Sequence, residues 1–158
     1  MNKNLIIRLL KQEDLTLANK LIWSTFLLFE APEYSKEGIQ VFKDFIEVKV
    51  LKKALKNKEM IFWGAYYKQE LIGVIALQKD HISLFFVKQD YQRRGFGKLL
   101  LNTALTYLKE NDYHQVSVNS SPYGLSIYLH LGFKAVATVQ NVNGIIFTPL
   151  ILVFNNTI

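Results

Sequence analysis

The sequence predicts one mixed α/β domain, spanning residues 1–158, whose sheet is antiparallel in its first part. Three observations predict it. Apolar residues follow a helical spacing as far as Lys58, and short apolar and aromatic strands take over from Met60. A turn bearing Gly95 and Gly97 then joins a strand to an amphipathic helix. Asn143-Gly144 marks a hairpin between the closing strands. The length suits one domain, and there is no internal repeat, low-complexity tract or linker.

In order, Leu5 to Leu10 reads as a strand. Gln12-Glu13-Asp14 places acidic residues where a helix N-terminus favours them. That helix runs to Phe29 with Leu17, Leu21, Ile22 and Phe26 as its stripe, and Ala31-Pro32-Glu33-Tyr34 breaks it. Ser35 caps a second helix through Val41, Phe42, Phe45 and Ile46, and Lys49 to Lys58 is further helix or a basic connection. Met60–Tyr67 and Leu71–Gln78 form a hairpin about Lys68-Gln69, and Ile82–Val87 follows after Lys79-Asp80. Gly95 to Asn111 is helical, with Leu99, Leu100, Leu101, Ala104, Leu105 and Leu108 as a broad apolar face. Gln115–Asn119 is a strand, and Pro122 opens a helix that Gly132 stops after Leu131. Phe133–Val139 and Ile145–Phe154 close the sheet. The order is β-α-α-β-β-β-α-β-α-β-β.

Half of the residues are hydrophobic and 20% are charged, which argues against disorder. The absence of cysteine rules out disulfides, thiolate metal sites and a cysteine nucleophile, and fits a reducing compartment. The N-terminus, Met1 to Arg8, lacks the apolar core and cleavage site of a signal peptide, and no apolar run is long enough to cross a bilayer. These features predict a soluble cytoplasmic protein. The net charge of +6 suits either a solvated basic surface or an anionic partner. The basic residues are scattered except for Lys88, Arg93, Arg94 and Lys98, a cluster that favours a small anionic ligand over nucleic acid. His81, His114 and His130 make no ligand spacing, so no metal is expected. No Gly-x-Ser-x-Gly elbow is present, which excludes an α/β-hydrolase.

Gln92 to Lys98 carries the chemistry. The N–H groups of a helix's first turn have no intrahelical partner, and the helix dipole makes them attractive to anions. Gly95 and Gly97 let a ligand approach the backbone, while Arg93, Arg94 and Lys98 add charge. A diphosphate is the natural guest. Position 92 is not glycine and Lys98 is followed by Leu99, so a Walker loop is excluded; a third glycine and an early βαβ unit are missing, so a Rossmann fingerprint is too.

Gln92-Arg93-Arg94-Gly95-Phe96-Gly97 and Tyr128-Leu129-His130-Leu131-Gly132-Phe133, in that order with one helix and one strand between them, resemble the paired motifs of the GCN5-related N-acetyltransferase (GNAT) family. The resemblance extends from Leu5 to Phe154 and implies the GNAT acyl-CoA N-acyltransferase fold, with acetyl-CoA as cosubstrate and no metal. It implies that an amine attacks the thioester directly. Backbone groups of Phe85, Phe86 and Val87 would pair with the pantetheine arm, and amides of Gln92, Arg93, Arg94, Gly95, Phe96, Gly97 and Lys98 would hold the pyrophosphate. Tyr128 matches the family tyrosine that protonates the leaving thiolate, although a tyrosine there also serves as core. Where the family often has Asn and Ala, this chain has Ser121 and Gly124; the segment Asn119-Ser120-Ser121-Pro122-Tyr123 is expected to contact the pantetheine arm.

A general base must also take a proton from the amine. Glu30, between Phe29 and Ala31, and Glu33 lie where the acceptor pocket of this family often forms, and either also reads as a surface carboxylate. Tyr34, Tyr66 and Tyr67 read as pocket or core. The expected activity is acetyl transfer from acetyl-CoA to a primary amine whose identity the sequence leaves open. The alternatives are a non-catalytic acyl-CoA-binding regulatory module and an acetyltransferase acting on charged tRNA or protein. Strands from Phe133 to Phe154 could pair across a homodimer.

Overall fold

A computed structural model describes residues 4–155, so the expectation drawn from Met1 to Lys3 lies outside the described residues. Five helices and eight strands follow in order: β1 (Leu5–Leu9), α1 (Leu15–Phe29), α2 (Lys36–Phe45), α3 (Val48–Lys56), β2 (Ile61–Tyr67), β3 (Glu70–Gln78), β4 (His81–Val87), α4 (Phe96–Glu110), β5 (Gln115–Ser120), α5 (Leu125–His130), β6 (Lys134–Ala135), β7 (Gln140–Val142) and β8 (Ile145–Val153). The sheet runs β1-β2-β3-β4-β5-β8-β6, with β7 also on β8.

Local chemistry explains the turns. Lys68 and Gln69 both take positive φ (50° and 70°), the geometry a two-residue hairpin needs between β2 and β3. Asn143 and Gly144 do the same between β7 and β8. Ser35 caps α2 by accepting the Gly38 N–H at 3.1 Å. At that point α2 meets the β7–β8 turn backbone to backbone, and a Cβ on Gly38 would overlap the Gly144 carbonyl.

Two cores flank the sheet. On one face α1 and α3 bury Leu15, Ala18, Ile22, Phe26 and Leu51 against Phe62, Val74, Leu84 and Phe86. On the other, α4 and α5 bury Leu100, Ala104, Leu108 and Tyr128 against Ile72, Ile75, Val116 and Val118.

Several boundaries differ from the sequence expectation. The α1 stripe is Leu15, Ala18, Leu21, Ile22, Thr25 and Phe26; Leu17 is 54% exposed, one helical step off the buried face. Leu99 of α4 is likewise exposed. Asp14 does not begin the α-helix but accepts the Lys11 N–H at 2.7 Å in a short 3-10 turn. Pro122 does not open α5: it sits in a tight turn closed by the Gly124 N–H on the Ser121 carbonyl (3.1 Å), and α-helical spacing begins with Tyr128 N–H to Gly124 O. The strand expected over Phe133–Val139 shrinks to Lys134–Ala135, which pair with Ile151 and Leu150 of β8, and one further bond runs from the Val136 N–H to the Pro149 carbonyl (3.0 Å).

The feature that makes the site is a parting of the sheet. β4 and β5 are parallel neighbours, yet they pair only at His81–Ser117 and Ile82–Val118. His81 Nδ1 and Ser117 Oγ, 2.7 Å apart, pin that end. Beyond it, Leu84–Val87 pairs with β3 alone, while Asn119 and Ser120 pair with β8. The ring of Phe85 faces Tyr128 of α5 across the wedge, centroids 6.2 Å apart.

Candidate active site

After β4, a 3-10 turn (Gln89–Tyr91) delivers Gln92 to the mouth of the parting. Arg93 and Gly95 then take left-handed conformations (φ 61° and 84°), and α4 begins. The first backbone bond of α4 runs from Leu99 N–H to Gly95 O (3.2 Å), which leaves the amides of Phe96, Gly97 and Lys98 ahead of the hydrogen-bonded ladder.

The two glycines do different things. A Cβ on Gly95 would meet nothing within 4 Å, so this residue is open, and its φ is one that side chains rarely adopt. A Cβ on Gly97 would touch Val87 Cγ2 at 3.4 Å and Phe85 at 3.6 Å, so Gly97 is packed against β4. The helix start thus sits directly on the strand.

The basic cluster is also smaller than expected. Lys88 is paired with Glu70, which raises the lysine pKa and lowers that of the carboxylate. Arg94 lies 5.2–5.5 Å from the ring centroids of Tyr67, Tyr91 and Phe96, held by cation–π contacts. Arg93 and Lys98 are exposed and join none of the ion pairs among the described residues. Phe96 is buried, so only its backbone faces the mouth, and the Phe86 side chain points into the α1 core beside Phe42.

Gln92 uses its side chain as well as its backbone. Its Nε2 donates to the Val87 carbonyl (2.9 Å), and its Oε1 accepts from the Tyr123 hydroxyl (2.9 Å). Tyr123 stacks on Phe29 at 4.6 Å. The sequence places this residue only at the end of the Asn119–Tyr123 segment, without the contacts to Gln92 and Phe29. Ser121 is buried, and its hydroxyl accepts the Gly124 N–H (3.1 Å), which caps the turn before α5. Asn119 is exposed on β5 opposite Pro149.

Glu30 ends α1, its N–H on the Phe26 carbonyl (2.9 Å). It is half-buried, and burial pushes its carboxyl up to about 7. Tyr128 is buried on α5, and burial followed by the Glu30 charge raises its pKa well above that of a free phenol. The same two causes raise Tyr34. The structure therefore brings Glu30, Tyr34 and Tyr128 into one electrostatic neighbourhood. Glu33 is exposed. Tyr66 binds Asp14 (3.2 Å) beside Arg8, and Tyr67 packs on Phe96, both away from that group. Among the described residues no cluster of His, Asp and Glu side chains converges as metal ligands, and no helix is long and apolar enough to cross a membrane. A groove of about 1310 Å³ lies between β1, β2 and the outer flank of α4 and includes none of these residues.

The domain thus combines a mixed sheet parted between parallel strands, a helix N-terminus opening at the parting, and Glu30 and Tyr128 in one electrostatic neighbourhood. The profile of the Acetyltransferase (GNAT) domain matches residues 30–154. The chain is 26% identical over 98 residues to N-acetyltransferase 8 of Homo sapiens, covering 54% of this chain and 43% of that protein. It is 28% identical over 108 residues to an N-alpha-acetyltransferase of Sulfurisphaera tokodaii, covering 55% and 64%. The matched region thus spans less than two thirds of either relative. The fold also resembles a crystal structure of the PaiA N-acetyltransferase from Thermoplasma acidophilum in complex with coenzyme A, with a TM-score of 0.79, 24% identity, and 95% and 99% of the two chains covered. This chain belongs to the GNAT acetyltransferase domain family.

Proposed function

We propose that this protein transfers the acetyl group of acetyl-CoA to a primary amine by direct attack on the thioester. The observation that carries the reading is the parting of β4 and β5 beside the open amides at the start of α4, with Tyr128 and Glu30 at the same place. An extended pantetheine arm suits a strand edge that lacks a neighbour, where backbone groups of Phe85, Phe86 and Val87 can serve it. A diphosphate suits the amides from Gly95 to Lys98, with Arg93 and Lys98 as counter-charges. Arg94 serves by bracing the loop through its aromatic contacts, and Ser121 by capping the turn before α5.

Chemistry follows from the two titratable groups. Glu30, with a pKa of about 7, takes a proton from the acceptor ammonium near neutral pH. The freed nitrogen attacks the thioester carbonyl, a C–N bond forms and the C–S bond breaks. Tyr128, kept protonated by burial, gives its proton to the departing sulfur and recovers one from the amine nitrogen. Net, one N–H proton of the amine ends on the thiol, and the one taken by Glu30 passes to solvent and resets the carboxylate.

The test is a panel of primary amines incubated with acetyl-CoA, read by thiol release. Release that depends on the amine supports the reading, and binding of coenzyme A without turnover on any amine would favour the non-catalytic module.

A further inference from the structure

We propose that Tyr123 is a positioning residue that ties the cosubstrate loop to the acceptor wall, an inference that rests on reading the parted sheet as the acetyl-transfer cleft. Three walls meet at this side chain. Its hydroxyl donates to Gln92 Oε1 at 2.9 Å, and Gln92 in turn donates to the carbonyl of Val87, the last residue of β4. Its ring stacks on Phe29, the last residue of α1, with centroids 4.6 Å apart and planes 21° from parallel. Its own backbone belongs to the link between β5 and α5, three residues past the end of β5 and five before Tyr128. One side chain thus spans the two strands that part and the helix that presents Glu30.

The two contacts are separable. The hydrogen bond fixes Gln92 and, through it, the approach to Gly95. The stack fixes Phe29, whose neighbour is Glu30. Tyr123 is 40% exposed, so its burial contributes little to the core and its worth lies in these contacts. The groups whose titration feels Glu30 are the half-buried Tyr34 and the buried Tyr128.

The experiment compares Tyr123→Phe and Tyr123→Ala with the wild type by two readouts that need no turnover: calorimetric titration with coenzyme A and NMR titration of the Glu30 carboxyl. Phenylalanine keeps the stack and loses the hydrogen bond, so coenzyme A should bind about fivefold more weakly, with Glu30 still titrating near 7. Alanine loses both, so the Glu30 midpoint should also fall toward the ordinary carboxylate range. Where an amine substrate is in hand, Tyr123→Phe should raise the KM for acetyl-CoA alone, whereas Tyr123→Ala should also raise the KM for the amine. Coenzyme A affinity unchanged in both variants, or a Glu30 titration equally displaced in both, overturns the proposal. Absence of turnover with every amine would overturn the proposed activity while leaving these two titrations to decide the role of Tyr123.

Discussion

Phe133 donates its backbone N–H to the carbonyl of Tyr128 at 3.1 Å and sets its ring edge-on to the tyrosine, centroids 5.2 Å apart. Gly132, at φ 100°, donates to Leu129 in the same turn (3.1 Å). Together these bonds close the end of α5 as a Schellman motif, with its hydrophobic contact between the third-last helical residue and the second residue past the cap. The Tyr-x-x-x-Gly-Phe motif therefore has a physical meaning: it locks the phenol's helix turn. Packing is thus one duty of Tyr128, beside the proton donation proposed for it.

Tyr128→Phe separates them. The ring contacts survive and the proton donor is lost. The expected result is an unchanged melting temperature, unchanged coenzyme A affinity by calorimetry and a kcat lower by about 100-fold. Turnover within threefold of wild type across the pH range would remove the acid role.

Glu30→Gln tests the base by two pH dependences. Burial raises the folded-state pKa from 4.5 to about 7. Folding therefore favours the protonated carboxyl, and the cost of ionising it grows as pH rises between those values. The variant should match wild type near pH 4 and be more stable by roughly 2–3 kcal/mol above pH 7, as read from urea melts. In the assay, wild-type kcat/KM should climb through about pH 7, and the variant's should be low and flat.

Gly95 and Gly97 should respond differently to substitution. Gly95→Glu places a carboxylate at the open left-handed position, and coenzyme A affinity should fall more than tenfold. Gly97→Ala adds a methyl at ordinary contact distance from Val87, and affinity should stay within threefold. Equal effects at both positions would contradict the cradle drawn from their geometry.

Two helices end on residues that are strained for want of a glycine. Lys58 (φ 59°) follows α3 and Asp112 (φ 66°) follows α4, each in a turn closed by a bond five residues back: Glu59 to Ala54 and Tyr113 to Leu108. Lys58→Gly and Asp112→Gly should each stabilise by about 1 kcal/mol, seen as a melting temperature higher by about 2–4 °C. The converse is Gly38→Ala, whose methyl would overlap the Gly144 carbonyl. It should destabilise by about 2 kcal/mol or more on urea melts.

Short-range chemistry made most elements legible. Ser35, Asn143-Gly144 and the Gln92–Gly97 turn act through bonds and dihedrals a few residues apart, so their types and spacing declare them. The phase of α1 was less legible, because Leu17 is as apolar as Leu15 and only the packed sheet chooses between them. The charge of the loop was misjudged because Lys88 meets Glu70 from the neighbouring strand and Arg94 meets Tyr67 from β2. Implied only by the family resemblance, the parting of β4 from β5 leaves no local mark in the residues. Nor does the burial of Glu30, which depends on elements distant in sequence. The sequence marks Tyr123 only within the Asn119–Tyr123 segment, because both of its partners, Gln92 and Phe29, come from other elements.

A sheet whose halves are stitched by two residue pairs, His81–Ser117 and Ile82–Val118, is an unfinished structure. A cosubstrate lying along β4 would act as a removable strand, and its concentration would enter the folding equilibrium by mass action. At one hundred times its Kd, such a ligand adds about 2.7 kcal/mol to stability. Under the proposed activity, the lifetime of this protein against unfolding becomes a readout of acetyl-CoA supply: thermally robust when acetyl groups are abundant, and easier to degrade when they are scarce.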